Sequence, residues 1–303
     1  MDTQESYINT RQNLFGIYNI QPESKFVSAS GTVDKVHYLE AGQGKPVVMI
    51  HGGGSHSSEW ISIMKPLASH YHLYVVDRPG CGLTDPINYR CVDYRKSAVD
   101  FVRTFMDAAG LTQPIFIANS MGGYFSMVFA MEFPERVDKL ILIGAPAGMN
   151  HYIPVQLRLL GTRGLNTILK KTVAKPGVSG LKAIHKQILV SDIRNIPEAY
   201  FLHSSFNHRL SGNLDAFSTM LENVLTLKGW RKNLYIGDKL HQLKVPVRFI
   251  WGSDDAFEGP DTGRLKAEAI SDCQFEVVEG AGHCPWLDKP DVCIALLLKM
   301  LKN

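Results

Sequence analysis

The pentapeptide "ANSMG" (118–122) has the pattern expected around a catalytic serine. A short run of β-branched and aromatic residues precedes it and an apolar helical pattern follows, so Ser120 lies at a predicted strand-to-helix turn. A nucleophile in such a turn sits on strained backbone and needs small residues two positions before and two after it. Ala118 and Gly122 meet that need. The alternative is that Ser120 only caps the helix, as serines often do, and the pentapeptide alone does not decide between the two.

Most of the chain alternates short apolar runs with helical patterns. Each run is continuously apolar, which is typical of strands covered on both faces. The alternation predicts an α/β fold with a doubly wound, mostly parallel sheet. The earlier segment 25–42 predicts an antiparallel pair of strands at one edge. The runs that we predict as parallel strands are 46–51, 72–77, 114–119, 139–144, 246–252 and 275–280.

The alternation stops between Pro146 and Leu243, where amphipathic helical segments appear without a strand run. We therefore predict a helical insertion, 146–243, within a core formed by 1–145 and 244–303, with residues 1–24 as an N-terminal extension of the core. Residues 146–245 contain 14 Lys or Arg and 5 Asp or Glu, a balance of +9. The whole chain carries +3, so the remainder carries −6 and the insertion is the basic part.

Composition excludes several classes of protein. A chain of 303 residues, 45% of them hydrophobic, can bury one large core. No dense basic block with interleaved aromatics is present, so we expect no nucleic-acid partner. The five cysteines lack CxxC spacing, which favours free thiols over a disulfide framework or a metal site. No stretch approaches a membrane span or the apolar core of a signal peptide, and we expect a cytoplasmic protein. The sequence predicts no oligomeric state.

The motifs together resemble those of the α/β-hydrolase fold family. The resemblance covers nearly the whole chain apart from the insertion and the N-terminal extension. The family's HG turn after the third strand is found here as "HGGG" (51–54), and its turn after the fourth strand as "DRPGCG" (77–82). Its acid and histidine segments are found, in the family's order, as "WGSDD" (251–255) and "GAGHCPWLDKP" (280–290).

The resemblance implies a catalytic triad. Ser120 would be the nucleophile, and His283, in a glycine-rich loop after the last predicted strand, would be its general base. Family members usually place the acid three residues past the glycine of the "WGSDD" segment, which selects Asp255. The acid would hold the imidazole in the required tautomer and stabilise the imidazolium. We interpret Asp254 as a solvated turn residue. The place where some relatives carry the acid instead, 144–146, contains no carboxylate.

The resemblance also implies an oxyanion hole. Met121, which follows the nucleophile, and Gly53, which follows the HG pair, would each supply a backbone N–H group. The alternative for the "HGGG" run is a flexible turn without a catalytic role. Its glycines do not form a GxGxxG pattern, so no cofactor is implied. We interpret His51 as structural and Cys284 as a small packing residue.

These observations predict a serine hydrolase that cleaves a small or medium carboxylic ester or lactone through an acyl-enzyme. One alternative is a carbon–carbon bond hydrolase of the meta-cleavage-product type, which the "HGGG" and "NSMGG" motifs also resemble. Those relatives usually follow HGGG with proline and glycine and the histidine with tryptophan, where this chain has Ser55, His56 and Cys284. A second alternative is a small-molecule receptor of the same fold. Such proteins often lack part of the triad.

The basic insertion has two interpretations. In the first interpretation, its lysines and arginines lie on solvated helix faces, as most such residues do. Alternatively, one arginine points inward and binds a substrate carboxylate in two-pronged geometry, which would favour esters bearing a free carboxylate. The candidates are Arg158, Arg163, Arg194 and Arg209.

Overall fold

The structure is a computed structural model that describes residues 2–29, 31–166 and 177–302. Its centre is an eight-stranded sheet with the strand order β1-β2-β4-β3-β5-β6-β9-β10. The strands from β4 to β10 in this order are parallel, and β2 runs antiparallel to both β1 and β4. The strands are β1 (Glu23–Ser28), β2 (Lys35–Ala41), β3 (Pro46–Ile50), β4 (His72–Val76), β5 (Ile115–Asn119), β6 (Lys139–Ile143), β9 (Val247–Gly252) and β10 (Cys273–Val278).

The central strands are buried on both faces, which explains their continuous apolar runs. In β5, Ile115 and Ile117 point into one apolar cluster, whereas Phe116 and Ala118 point into the other. This alternation follows from the two-residue period of a strand. Each cluster is completed by helices on its own side of the sheet, so the doubly wound α/β prediction is confirmed.

Helices cover both faces of the sheet and form most of the insertion. The first cluster contains residues of α3, α4 and α9, and the second contains residues of α1, α2 and α11. None of the described helices has the length and hydropathy needed to cross a membrane. The helices are α1 (Thr3–Ile17), α2 (Ile61–Ala68), α3 (Tyr94–Ala108), α4 (Ser120–Glu132), α5 (Val155–Leu160), α6 (Val178–Ile184), α7 (Glu198–Asn207), α8 (Asn213–Val224), α9 (Pro260–Ala267), α10 (Pro285–Asp288) and α11 (Pro290–Lys302).

The segment 146–243 contains α5 to α8, and α6 continues as a π-helical turn over His185–Leu189. One feature differs from the prediction of a strand-free insertion. A two-stranded hairpin of β7 (Leu225–Thr226) and β8 (Gly229–Trp230) follows α8. Strands of two residues are too short to produce a visible apolar run. The division into core and insertion stays a prediction.

Two other parts of the chain show structure that the sequence analysis did not predict. The N-terminal extension contains α1, which packs against α7 and buries Leu14 and Phe15 in a core cluster. Strand β10 begins two residues before the predicted 275, because Cys273 already pairs with Val247 of β9. The predicted antiparallel pair at the edge is present as β1 and β2.

Candidate active site

Ser120 is the first residue of α4 and directly follows β5. Its φ of 50° is in the left-handed region, which among the described non-glycine residues is shared only by Asn19. Such backbone is strained for a residue with a side chain. At Gly122, an added Cβ would lie 2.1 Å from the carbonyl oxygen of Ile50. The small residue two positions after Ser120 is therefore required sterically, because α4 begins against the end of β3.

The side chain of Asn119 links the serine turn to neighbouring parts of the fold. Its buried Nδ2 group donates hydrogen bonds to the carbonyl oxygens of Ile143, at 2.7 Å, and His283, at 3.2 Å. One amide thereby joins the end of β5 to the end of β6 and to the loop that carries His283. This side chain fixes the distance between the serine turn and the histidine loop.

The structure brings His283 and Asp255 together. Nδ1 of His283 lies 3.0 Å from Oδ1 and 2.9 Å from Oδ2 of Asp255, and both side chains are buried. Since an ionised carboxylate only accepts hydrogen bonds, Nδ1 carries the proton and Nε2 of the neutral ring is left free to accept one. Nε2 is buried and has no hydrogen-bond partner among the described residues.

Backbone donors fix the carboxylate of Asp255. The N–H groups of Phe257 and Ala145 donate to Oδ1 and Oδ2 at 2.9 and 2.8 Å. The neighbouring Asp254 is exposed and instead accepts a hydrogen bond from Ser191 Oγ at 2.8 Å. The acid that contacts the histidine is therefore Asp255 and not Asp254.

The "HGGG" loop is braced by His51 and Arg78. The Nε and Nη2 groups of Arg78 donate to the carbonyl oxygens of His51 and Gly52 at 3.0 and 2.6 Å. The Arg78 N–H donates to Nε2 of His51 at 3.0 Å. Burial lowers the pKa of His51 to about 3, so the ring stays neutral and accepts this bond. The interpretation of His51 as structural fits this geometry. The "DRPGCG" turn also has a second role, because its arginine, Arg78, holds the "HGGG" loop in place.

Gly53 and Met121 approach each other beside Ser120. An added Cβ on Gly53 would lie 3.3 Å from Cγ of Met121, and all three residues line one cavity. Met121 is in the first turn of α4, where backbone N–H groups have no acceptor within the helix. The two residues predicted for an oxyanion hole thus lie close to each other at the wall of the cavity that Ser120 also lines, and the oxyanion hole stays a prediction.

The cavity has a volume of about 360 Å³ and is mainly apolar. Ser120, His283 and Phe257 line it from the sheet side. The helices α5 to α8 contribute residues to the opposite wall, and these include Leu157, Leu160, Leu181, Tyr200, Phe217 and Met220. A substrate that reaches Ser120 would therefore be enclosed between the sheet and the insertion.

The inward arginine clamp is wrong for the described part of the insertion, since no lysine or arginine there lines the cavity. Arg163 is exposed, and Arg194 is exposed and pairs with Asp192 at 2.7 Å. Arg158 donates to the carbonyl oxygen of Leu227 at 3.2 Å, and Arg209 packs over the ring of Phe206. None of these four arginines therefore contributes its charge to the cavity wall.

Three histidines besides His283 line the cavity: His56, His185 and His208. Burial lowers the pKa of each of them to about 4. They are neutral at pH 7. The cavity thus gains no positive charge from them.

Cys284, next to the histidine, also lines the cavity. Burial raises the pKa of its thiol, and nearby Glu59 raises it further, so the thiolate nucleophile is disfavoured. This supports the packing interpretation of Cys284. Within the described ranges no cluster of His, Cys, Asp and Glu is arranged to hold a metal ion.

Three side chains at the site were not identified from the sequence. Asn119 was visible only as part of the serine motif, and Arg78 only as part of a turn. Glu59 lines the cavity, and burial raises the pKa of its carboxyl to about 7. Glu59 lies one residue before Trp60, in a segment whose pattern predicts the start of a helix. Nothing in this pattern indicates a functional residue.

Comparison with known proteins supports a hydrolase. The family described as alpha/beta hydrolase fold matches residues 45–183. A 2-hydroxy-6-oxo-6-phenylhexa-2,4-dienoate hydrolase of Comamonas testosteroni is 28% identical over 285 residues, which cover 88% of this chain and 91% of that protein. A 2-hydroxy-6-oxononadienedioate/2-hydroxy-6-oxononatrienedioate hydrolase of Paraburkholderia phymatum is 28% identical over 280 residues, with 86% and 89% covered.

Solved structures agree on the fold. A carboxylesterase of Bacillus subtilis superposes with a TM-score of 0.77 at 19% identity, with 99% of each chain covered. A 2-hydroxy-6-oxo-6-phenylhexa-2,4-dienoate hydrolase of a Rhodococcus species also superposes with a TM-score of 0.77, at 24% identity, with 93% of this chain and 99% of that chain covered. Together with the strand order and the serine turn, these matches show that the chain has the α/β-hydrolase fold.

Proposed function

We propose that the protein is a serine hydrolase in which Ser120, His283 and Asp255 form the catalytic triad. The observation that carries this proposal is the buried His283–Asp255 pair, whose free Nε2 lies in the wall of the same cavity as the strained Ser120. A nucleophile, a base and a group that orients the base are the parts that acyl transfer requires. The insertion acts as a cap that encloses the substrate.

The reaction runs through an acyl-enzyme. Nε2 of His283 takes the proton of Ser120 Oγ as this oxygen attacks the substrate's carbonyl carbon. The N–H groups of Gly53 and Met121 bind the oxyanion of the tetrahedral intermediate. The bond to the leaving group then breaks, and the imidazolium gives its proton to that group. Water, deprotonated by the same nitrogen, hydrolyses the acyl-enzyme and releases a carboxylic acid.

The relatives favour carbon–carbon bond hydrolysis as the reaction. Their names specify dienoate substrates that carry a ketone, and the matches extend over most of the chain. In this reaction Ser120 attacks the ketone, and the leaving group is a stabilised carbanion that takes up the proton. The sequence analysis placed ester or lactone hydrolysis first, and the comparisons reverse that order.

Ester hydrolysis remains a second candidate because of the cavity. The relatives' named substrates are carboxylates, yet the described part of this cavity offers them no lysine or arginine and is mainly apolar. A neutral ester would need no such partner. No observation favours a receptor, since Ser120 and His283 line one cavity and Asp255 contacts His283.

The test is to assay the purified protein with both substrate classes. One arm uses 2-hydroxy-6-oxo-6-phenylhexa-2,4-dienoate, and the other uses neutral 4-nitrophenyl esters of increasing acyl length. We expect turnover in at least one arm and its loss in Ser120→Ala, while circular dichroism shows the fold unchanged. The arm with the higher kcat/KM identifies the reaction. Turnover that persists in Ser120→Ala would overturn the mechanism.

A further inference from the structure

We infer that Glu59 determines which substrates enter the cavity, by favouring groups that donate hydrogen bonds or carry positive charge and by opposing carboxylates. This inference rests on the proposed function, because it concerns the same cavity. It names a substrate class that differs from the carboxylate substrates in the relatives' names. It also assigns to the cavity a charge opposite to that of the insertion's surface.

Glu59 is held at the cavity wall by both neighbouring segments of the site. It belongs to a 3₁₀ turn, Ser57–Trp60, that directly follows the glycine-rich loop. Its Oε1 accepts the N–H of Gly52 at 3.4 Å, and its carbonyl oxygen accepts Nε1–H of Trp286 at 3.0 Å. The residue is 5% exposed and lines the cavity.

No cation neutralises this carboxyl in the described part of the chain. Arg78 is the nearest candidate, but its Nε and Nη2 groups donate to the carbonyl oxygens of His51 and Gly52. Its Nη1 group faces the sulfur of Met220 at 4.0 Å. The guanidinium thus acts on Glu59 through space only. The near partners of the carboxyl are the hydrogen-bonding groups of Ser55 and Gly52, and a buried carboxylate without a partner of opposite charge is costly.

The protonation state agrees with this geometry. Burial raises the pKa of Glu59 to about 7, and the hydrogen bonds from Ser55 and from the Gly52 N–H, with smaller contributions from nearby charges, offset only part of that rise. The cavity histidines are neutral near pH 7, as described above. The other titratable groups whose charges couple to Glu59 are Tyr200, Cys284 and Cys81, all of which burial keeps protonated.

A ligand can relieve this cost in two ways. An ammonium group supplies the missing charge partner, and a hydroxyl group donates to the carboxylate or accepts from the protonated acid. A ligand carboxylate instead meets a second carboxyl in a poorly solvated space, so one of the two must take up a proton. Glu59 therefore selects by charge.

The test uses four 4-nitrophenyl esters whose six-carbon acyl chains end in a methyl, hydroxyl, ammonium or carboxylate group. At pH 8, we expect the wild type to prefer the ammonium and hydroxyl esters over the methyl ester, and to disfavour the carboxylate ester. In Glu59→Gln, which keeps an acceptor for Gly52, the ratio of kcat/KM for the ammonium ester to that for the methyl ester should fall about tenfold. The ratio of kcat/KM for the carboxylate ester to that for the methyl ester should rise about tenfold. The exposed Glu135→Gln is the matched control and should shift neither ratio.

A pH profile separates this role from a structural one. Between pH 6 and pH 8, the ammonium-to-methyl ratio should rise in the wild type and stay flat in Glu59→Gln. A pH effect on the catalytic step itself acts on both esters alike and cancels in the ratio. Equal ratios in wild type and Glu59→Gln would overturn the inference even if Ser120-dependent turnover is present.

Binding distinguishes failure of the inference from failure of the proposed function. In Ser120→Ala, which cannot turn over, calorimetry should show tighter binding of hexylammonium than of hexanoate, and the added Glu59→Gln change should remove the difference. This result supports the inference whatever reaction the protein catalyses. A preference for hexanoate, or one that Glu59→Gln leaves intact, overturns it.

Discussion

The outer surface of the helical insertion and the cavity beneath it differ in charge. Every described lysine and arginine of the insertion is exposed or half-buried, and none lines the cavity. Among the described residues, the cavity wall instead carries one carboxyl, Glu59, and three histidines, His56, His185 and His208, that burial keeps neutral. The net charge of a segment therefore indicates the charge of its outer surface and does not predict the charge of the cavity that the same helices enclose.

The largest effect should come from Asp255, the interior acid of the proposed triad. Asp255→Asn keeps the size of the side chain but removes the acceptor that fixes the His283 tautomer, so kcat should fall by about 10⁴-fold. Asp254→Asn, one residue away and exposed, should change kcat by less than about threefold. Steady-state kinetics on whichever substrate is turned over checks both. A larger loss in Asp254→Asn would contradict the assignment of the acid.

A second interior change tests the packing below the serine. Gly122→Ala places a Cβ 2.1 Å from a backbone oxygen, and backbone cannot yield as a side chain can. We expect a loss of about 3 kcal/mol in the free energy of unfolding. Gly16→Ala is the control, because a Cβ there meets nothing within 4 Å. Chemical denaturation measures both, and equal stability of the two variants would show that α4 can move away from β3.

The interior carboxyl should also affect stability in a pH-dependent way. Glu59 has a pKa of about 7 when folded against an ordinary value of 4.5. The unfolded chain therefore releases this proton at lower pH, and the carboxyl destabilises the fold as pH rises from about 5 to 7. Relative to the wild type, Glu59→Gln should gain about 2 kcal/mol in the free energy of unfolding between pH 5 and pH 8. A difference that does not change with pH would mean that Glu59 ionises normally.

The smallest effect is expected on the outer surface. Arg194→Ala and Arg209→Ala remove exposed charges, so each should change the free energy of unfolding by less than about 0.5 kcal/mol. The preference among the charged esters should change by less than about twofold, because solvent and salt screen charges outside the cavity. Kinetics at low and high ionic strength measures this preference. If removal of one arginine abolished the preference among the charged esters, that arginine would act within the cavity, which would contradict this prediction.

The sheet and the serine turn could be predicted from sequence because local patterns encode them. Buried parallel strands leave continuous apolar runs, and the turn at Ser120 needs small residues at fixed positions. The helix α1 could not be predicted in this way. Its core contacts come from few side chains, Leu14 and Phe15 among them, and its partner α7 is almost 200 residues away along the chain. Such contacts leave no periodic pattern.

The site was predictable where a motif fixes a side chain and not where packing fixes it. Asp255 and His283 lie in recognisable turns, and the structure brings them into contact. Glu59 follows a glycine-rich loop as one carboxylate among many, and only the fold reveals that it is buried at the cavity wall. The direction of Arg158, Arg163, Arg194 and Arg209 likewise depends on how each helix is rotated in its packing, which charge alone does not determine.

The most direct test of the central claim is to trap the acyl-enzyme. The protein is mixed with a 4-nitrophenyl ester, quenched with acid within the first turnovers, digested and analysed by mass spectrometry. The proposed mechanism predicts that the acyl mass is found on the peptide containing Ser120. In His283→Ala, this acylated peptide should form at a greatly reduced rate. An acyl group on Cys284 or another residue, with Ser120 unmodified during turnover, would contradict it.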